Sequence, residues 1–188
     1  MVRWQPDSRG RLEQAAMELY SEQGFEKTTV AEIAERAGLT ERTFFRHFAD
    51  KREVLFSGSG EFQELIVGNV ANAPESLAPI DAAAEGLQAA AALLMRREEF
   101  ARQRQEIIAA NAELQERELI KFASLSAALA DTLRGRSLTD PAASLTAEVA
   151  MAVFKTAFER WIDQPGDRDF PQLIRDSLDE LTALTTGR

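Results

Sequence analysis

The chain has 188 residues, no cysteine and a formal net charge of −9, from 22 Lys+Arg against 31 Asp+Glu. The missing cysteine excludes disulfides, thiolate chemistry and the commonest zinc ligands. No run of about 18 uninterrupted apolar residues is long enough to cross a membrane, and the polar start MVRWQPDSRGR lacks the apolar stretch of a signal peptide. A soluble, cytoplasmic protein is expected, long enough for one sizeable core or for a small domain attached to a larger one.

No stretch alternates apolar and polar residues for long, whereas helical spacing recurs throughout, so the expected fold is all-α. Leu12, Ala16, Leu19 and Tyr20 form one face of a first helix, which Gly24 can close as a left-handed residue. Thr29 followed by Glu32 is a capping-box pattern, and Val30, Ile33, Ala34 and Ala37 carry a second helix to Gly38. Thr40 can cap a third. On it Phe44 and Phe48 share one face, Arg42 and Arg46 point the opposite way with Thr43 and His47 beside them, and Phe45 stands on a flank. Asp50 with Glu53 begins a fourth helix. Beyond it the spacing predicts helices over 51–72, 79–95, 97–111, 114–134, 141–164 and 170–186, punctuated by prolines. Gly58, Gly60 and Gly68 weaken the first of these and make it the one to bend or break.

The second and third helices are joined only by Gly38, Leu39 and Thr40, which makes a helix-turn-helix, a motif whose second helix can lie in the DNA major groove. An ordinary helical hairpin is the competing reading, but it would not place Arg42, Arg46 and His47 together on an outer side. The charge distribution agrees. Residues 1–56 hold 9 Lys+Arg against 10 Asp+Glu, and Arg36 to Arg52 hold five basic residues against two acidic ones. The acidic excess lies elsewhere in the chain.

The run TTVAEIAERAGLTERTFFRHFADKREVL, Thr28 to Leu55, closely resembles the DNA-binding domain of TetR-family transcription regulators. The resemblance implies an N-terminal three-helix domain, residues 1–53, that reads operator DNA. It also implies a larger helical domain, residues 54–188, that binds a small molecule and dimerises. The family most often has tyrosine where this chain has Phe45, which cannot donate to a phosphate and can only pack against sugar or a thymine methyl.

On this reading Thr28 and Thr29 face a phosphate at the start of the second helix, with capping alone as the alternative for Thr29. Thr40 and Thr43 can donate to phosphate or a base edge, and the planar forks of Arg42 and Arg46 suit guanine or phosphate. His47 is the sole histidine, so a phosphate or base contact fits it better than metal or triad chemistry. Lys51 opposes the dipole of the fourth helix, a conflict that a bound phosphate would remove.

In the larger domain the 141–164 helix is apolar nearly all round, so it must be covered on two sides. A symmetric interface with a second copy, built on Leu145, Val149, Val153, Phe154, Ile174, Leu178 and Leu181, is the expected solution. A monomer with these helices at the centre of its bundle is the alternative. An effector cavity is expected among Phe62, Leu94, Met95, Phe100, Ile107, Phe122, Phe158 and Trp161, with Gln103 or Asn111 orienting the guest. Ordinary core is the alternative for each apolar member. The 51–72 helix, starting at Lys51, would act as the lever between effector and DNA.

The expected function is therefore a homodimeric transcriptional regulator, a repressor released from its operator by a small apolar effector. No cofactor or metal is called for, and the partners are double-stranded operator DNA, a second copy and the effector. The chain lacks the cysteine, second histidine, Gly-rich phosphate loop and metal-ligand cluster that an enzyme would need. An activator of the same fold and an adaptor that has lost DNA binding remain as alternatives.

Overall fold

The computed structural model of the protein describes residues 8–163 and 169–187. Its described secondary structure is entirely helical: α1 (Ser8–Gln23), α2 (Val30–Arg36), α3 (Glu41–His47), α4 (Lys51–Leu55), α5 (Ser59–Asn72), α6 (Pro79–Met95), α7 (Glu98–Ala109), α8 (Ala112–Gly135), α9 (Asp140–Asp163) and α10 (Phe170–Thr186).

Two compact units form. The first joins the described residues up to Ser59 with Glu99–Glu118, and the second joins Gly60–Glu98 with the residues from Leu119 onward. A single cut after residue 53 does not reproduce this division, because α7 and the first two turns of α8 pack with the N-terminal helices. The reason is visible in the core of the first unit, where Ile107, Ile108 and Leu114 are buried beside Leu12, Phe44 and Leu55.

Within the first unit α1 packs on α2, α3 and α4, and α2 packs on α3. The chain turns between α2 and α3 through Gly38, whose φ of +65° lies in the left-handed region that favours glycine. The Gly38 N–H bonds Glu35 O at 2.9 Å and the Leu39 N–H bonds Ala34 O at 2.8 Å. These two bonds are the Schellman pair, and they satisfy carbonyls that the end of α2 leaves open. Thr29 and Glu32 form the complete capping box. Thr40 caps α3, and Asp50 caps α4 through bonds from the Arg52 and Glu53 N–H groups.

The long helix expected over 51–72 is two helices. After Leu55 the backbone leaves helical geometry at Phe56, φ −113°, and resumes at Ser59. Phe56 is buried in the first core, and Gly58 with Gly60 offers little helical preference to carry the chain through. Burial of this ring outweighs continuation of the helix, so α4 and α5 do not form a single lever.

In the second unit α10 packs on α6 and α9, and α6 packs on α9. The seams are built from small residues, including Ala83, Ala90, Ala147 and Ala150, all fully buried. At one end Phe62, Phe154, Phe158, Trp161 and Phe170 form a continuous aromatic cluster, in which Trp161 stacks on Phe170 with centroids 4.9 Å apart and planes 7° apart.

Candidate nucleic-acid interface

Helix α3 carries the division that its spacing predicts. Phe44 and Phe48 are buried, while Arg42, Phe45 and Arg46 are exposed, Phe45 to 54%. Phe45 rests edge-on against Phe44, centroids 5.5 Å apart, so a buried ring holds the exposed one in place. Arg42 makes no hydrogen bond or ion pair among the described residues, and the one contact of Arg46 is with His47 Nε2 at 3.4 Å. His47 Nε2 also shares a 2.7 Å hydrogen bond with Ser8 Oγ, which ties the end of α3 to the start of α1. Thr40 and Thr43 face each other, hydroxyl to hydroxyl, at 3.0 Å. The arrangement presents two exposed guanidinium forks, a ring and two hydroxyls on one short helix and its N-cap.

Three expected contacts look different in the structure. Thr28 is 1% exposed, and its hydroxyl donates to Gly24 O at 2.9 Å, so this side chain closes the α1–α2 loop and cannot meet a phosphate. Thr29 is exposed but engaged in the capping box: its hydroxyl accepts from Glu32 N and its N–H donates to Glu32 Oε2 at 2.8 Å. Hydrogen bonds from the Thr29 N–H and hydroxyl hold the Glu32 carboxyl below its usual range, so an ionised carboxylate occupies this place.

Lys51 is the third correction. Its ammonium donates to Phe25 O, Glu26 O and Thr28 O at 2.8, 3.1 and 2.9 Å and lies 4.4 Å from the Phe25 ring centroid. The conflict with the α4 dipole is real, but carbonyls of the α1–α2 loop resolve it, with no need of a phosphate.

Arg11 escapes a reading of motif residues alone. Its guanidinium donates to Ala37 O and, at 3.3 Å, to Gly38 O, so it fastens the helix-turn-helix turn. Arg9 likewise donates to Ser57 O. Both stand in the first turn of α1, where a cation opposes the dipole, and that same signal would have flagged them.

The residues expected to line an effector site are divided between the two units. Phe100 and Ile107 pack in the core of the first unit. Gln103 bonds Ser21 Oγ at 2.7 Å and Asn111 bonds Ile107 O at 2.6 Å within that unit. Phe62, Phe158 and Trp161 belong to the aromatic cluster of the second unit, where they fill space with one another. Leu94 and Phe122 are half-buried, Met95 is exposed, and the Lys155 ammonium lies 5.9 Å from the Phe122 ring. A polar cleft of about 320 Å³ does exist in the first unit, lined by Arg9, His47, Phe48, Glu53, Phe56 and Arg117 among others.

The expected dimer face is also divided. Val153, Phe154 and Ile174 are 5% exposed or less, buried by α6, α9 and α10 of their own unit, and are not free to face a second copy. Val149, Leu178 and Leu181 are half-buried, and Leu145 is 66% exposed. Among the described residues no helix is long and apolar enough to cross a membrane, and no group of three or more acidic, histidine or cysteine side chains could hold a metal.

A capped helix, a Schellman turn and a second helix with an outward arginine pair define a helix-turn-helix protein with a further helical unit. Residues 13–57 match the family described as "Bacterial regulatory proteins, tetR family", and residues 77–186, more than half of the chain, match the "MftR C-terminal domain". The chain belongs to the TetR family of bacterial regulatory proteins, which are transcriptional regulators and not enzymes. It is similar to the HTH-type transcriptional regulator TcmR of Streptomyces glaucescens, 39% identical over 75 residues, or 40% of this chain and 33% of TcmR. It thus spans about a third of the length of the curated relatives it matches. A TetR-family regulator from Syntrophomonas wolfei shares the fold with a TM-score of 0.68 at 14% identity, over 96% of this chain and 95% of that one. The transcriptional regulator FadR of Bacillus subtilis, solved in complex with stearoyl-CoA, does so with a TM-score of 0.63 at 18% identity, over 90% and 95%.

Proposed function

We propose that the protein is a homodimeric repressor in the cytoplasm that binds a two-fold operator through α3 and is released by a small, largely apolar effector. Residues 1–53 are the reader, and residues 54–188 provide effector binding and dimerisation. The observation that carries the reading is the split of α3, where buried Phe44 and Phe48 anchor a helix whose Arg42, Phe45 and Arg46 are left exposed. The guanidinium forks suit guanine edges or phosphates, and the Phe45 ring suits a thymine methyl. Dimerisation draws on the α9 and α10 side chains that their own unit leaves uncovered, Leu145, Val149, Leu178 and Leu181, joined by Leu184 at 82% exposure. The acyl-CoA bound by the FadR of Bacillus subtilis is consistent with an effector carrying a long apolar part.

The test starts from genomic DNA selected on the purified protein and sequenced. Enriched fragments are expected to contain a palindrome whose half-sites lie one helical turn, about 34–36 Å, or a multiple apart. Arg46→Ala should weaken binding to it by about 1–3 kcal/mol if the fork reads a base, with the thermal midpoint unchanged. Binding at the wild-type level by an Arg42→Ala/Arg46→Ala double variant would defeat the assignment of α3. Full DNA affinity in a sedimenting monomer would defeat the dimer.

A further inference from the structure

The Lys51 ammonium has three hydrogens, and three carbonyls stand within hydrogen-bond reach, those of Phe25, Glu26 and Thr28. Its own carbonyl accepts from the Tyr20 hydroxyl at 2.6 Å, so main chain and side chain are both fixed. Burial raises the pKa of that phenol, with the nearby Asp50 carboxylate adding to the shift, so Tyr20 stays a donor.

The other cations around Lys51 are engaged in similar ways. Between residues 8 and 59 there are eight lysines and arginines. Arg9 holds Ser57 O, Arg11 holds the α2–α3 turn, Arg36 pairs with Glu18 and Glu22, and Arg52 pairs with Asp50 and Glu113. Beyond α3 one cation remains. Lys27 is exposed and makes no hydrogen bond or ion pair among the described residues. It sits between Glu26 and Thr28, two of the residues whose carbonyls Lys51 grips.

From this placement we infer that Lys51 is a positioning residue that fixes the α1–α2 loop, and that Lys27, held out from that loop, is the lysine that meets the phosphate backbone of operator DNA. The inference rests on the operator-binding reading above. The physical distinction between the two lysines is whether counterions are released. A cation that neutralises a phosphate contributes about 0.9 to the slope of log affinity against log salt, whereas a cation bonded internally contributes nothing.

The experiment uses the full chain and an operator fragment from the genomic selection, with affinity measured by fluorescence anisotropy between about 50 and about 200 mM salt. Lys27→Gln should flatten the slope by about 0.9 per protomer and leave the thermal midpoint unchanged. Lys51→Met should lower affinity at every salt concentration with the slope unchanged, and amide exchange over residues 24–29 should quicken in this variant and not in Lys27→Gln. Lys51→Arg, which keeps donors for the same carbonyls, should recover part of the affinity. An unchanged slope in Lys27→Gln, or a slope flattened by about 0.9 per protomer in Lys51→Met, would overturn the inference while leaving the operator reading intact. If Lys51→Met does not fold, Lys27→Gln alone decides. A wild-type protein that enriches no DNA would overturn both.

Discussion

The two units solve the same problem, packing helices in a fixed geometry, with different chemistry. In the first unit α2 and α3 have seven residues each and α4 five, and cations add directional bonds to the buried apolar core that these short helices share with α1 and α7. Arg9, Arg11 and Lys51 each stand in the first turn of a helix, on the side where the dipole disfavours them, and each reaches carbonyls of another segment. Arg104 does the same across the unit: its Nε donates to Leu55 O at 2.7 Å, Glu118 pairs with it at 3.0 Å, and its guanidinium lies 5.0 Å from the Phe56 ring centroid. Burial pulls the Arg104 pKa below its usual range, with Glu118 opposing the shift. In the second unit the helices run from 14 to 24 residues, and alanine seams with one aromatic cluster fix them, with Arg136 repeating the device by donating to Val70 O, Ala73 O and Pro74 O at 3.2, 2.6 and 2.8 Å. The lesson is one of proportion: the first unit fastens its connections with several such cations, and the second leans more on shape.

The sharpest way to break this contrast is to empty each core separately. Trp161→Ala removes a fully buried indole stacked on Phe170 and should cost about 3–5 kcal/mol. Phe44→Ala should cost a similar amount, because that ring is equally buried. Amide exchange resolved by region is the measurement. Trp161→Ala should loosen α6, α9 and α10, and Phe44→Ala should loosen α1 to α4. If both variants lose protection equally everywhere, the two packing schemes are not separate.

A smaller effect sharpens the shape argument. Gly86 lies in α6 where an added Cβ would stand 2.7 Å from Ile66 O and 2.8 Å from Val70 Cγ2. Gly86→Ala should therefore destabilise by about 1–3 kcal/mol, although alanine is the better helix former. Gly68, inside α5, would meet nothing within 4 Å, so Gly68→Ala should stabilise by about 0.4–1 kcal/mol. Urea titrations of the pair read the two signs directly. Two substitutions of the same sign would mean that the α5–α6 seam is less tight than its atoms indicate.

Legibility in the sequence follows the same contrast. Caps and turn residues act locally, so Thr29 with Glu32, Gly38, Thr40 and Asp50 could be read from spacing, and so could the two faces of α3. What Lys51 touches could not be read that way, because its partners are main-chain carbonyls 23 to 26 residues away, and every residue carries a carbonyl. The break at Phe56 depended on a ring finding the first core, which a run of helical spacing does not register. In the second unit the apolar faces of α9 and α10 implied burial correctly but not what covers them. Val153, Phe154 and Ile174 are covered by α6 and by each other's helices, a role that alanine-rich α6 hides because alanine is unremarkable on any face.

The contrast has a last consequence at acid pH, where directional bonds to carboxylates weaken and shape does not. Among the described residues, the carboxyls shifted below their ordinary range, Glu22, Glu32 and Asp50, all lie in the first unit. Asp50 is the one that caps α4, the helix that follows α3. Burial acts first and raises its pKa, but the Arg52 side chain, the Glu53 N–H and the Arg52 charge together outweigh burial and leave it below the ordinary 3.8. The folded state thus binds protons less readily than the unfolded state, so stability rises with pH between the two values. Its contribution is complete above 3.8 and is lost as pH falls through the folded value. By contrast α6 and α10 begin with proline in the first turn and no side-chain cap bond, so acid has no cap to break there and acts on α10 only through exposed ion pairs such as Arg175 with Asp169. Lowering pH from neutral to below 3.8 should therefore loosen α2 to α4 before α6 and α10. Asp50→Asn keeps an acceptor for the Arg52 and Glu53 N–H groups but cannot titrate, so it should flatten part of that pH dependence. At neutral pH it should lower stability by less than about 1 kcal/mol, since Arg52 is partly exposed and the pair is screened. Urea titrations of both proteins across this pH range measure the difference, and parallel curves would show that the Asp50 cap carries no linkage.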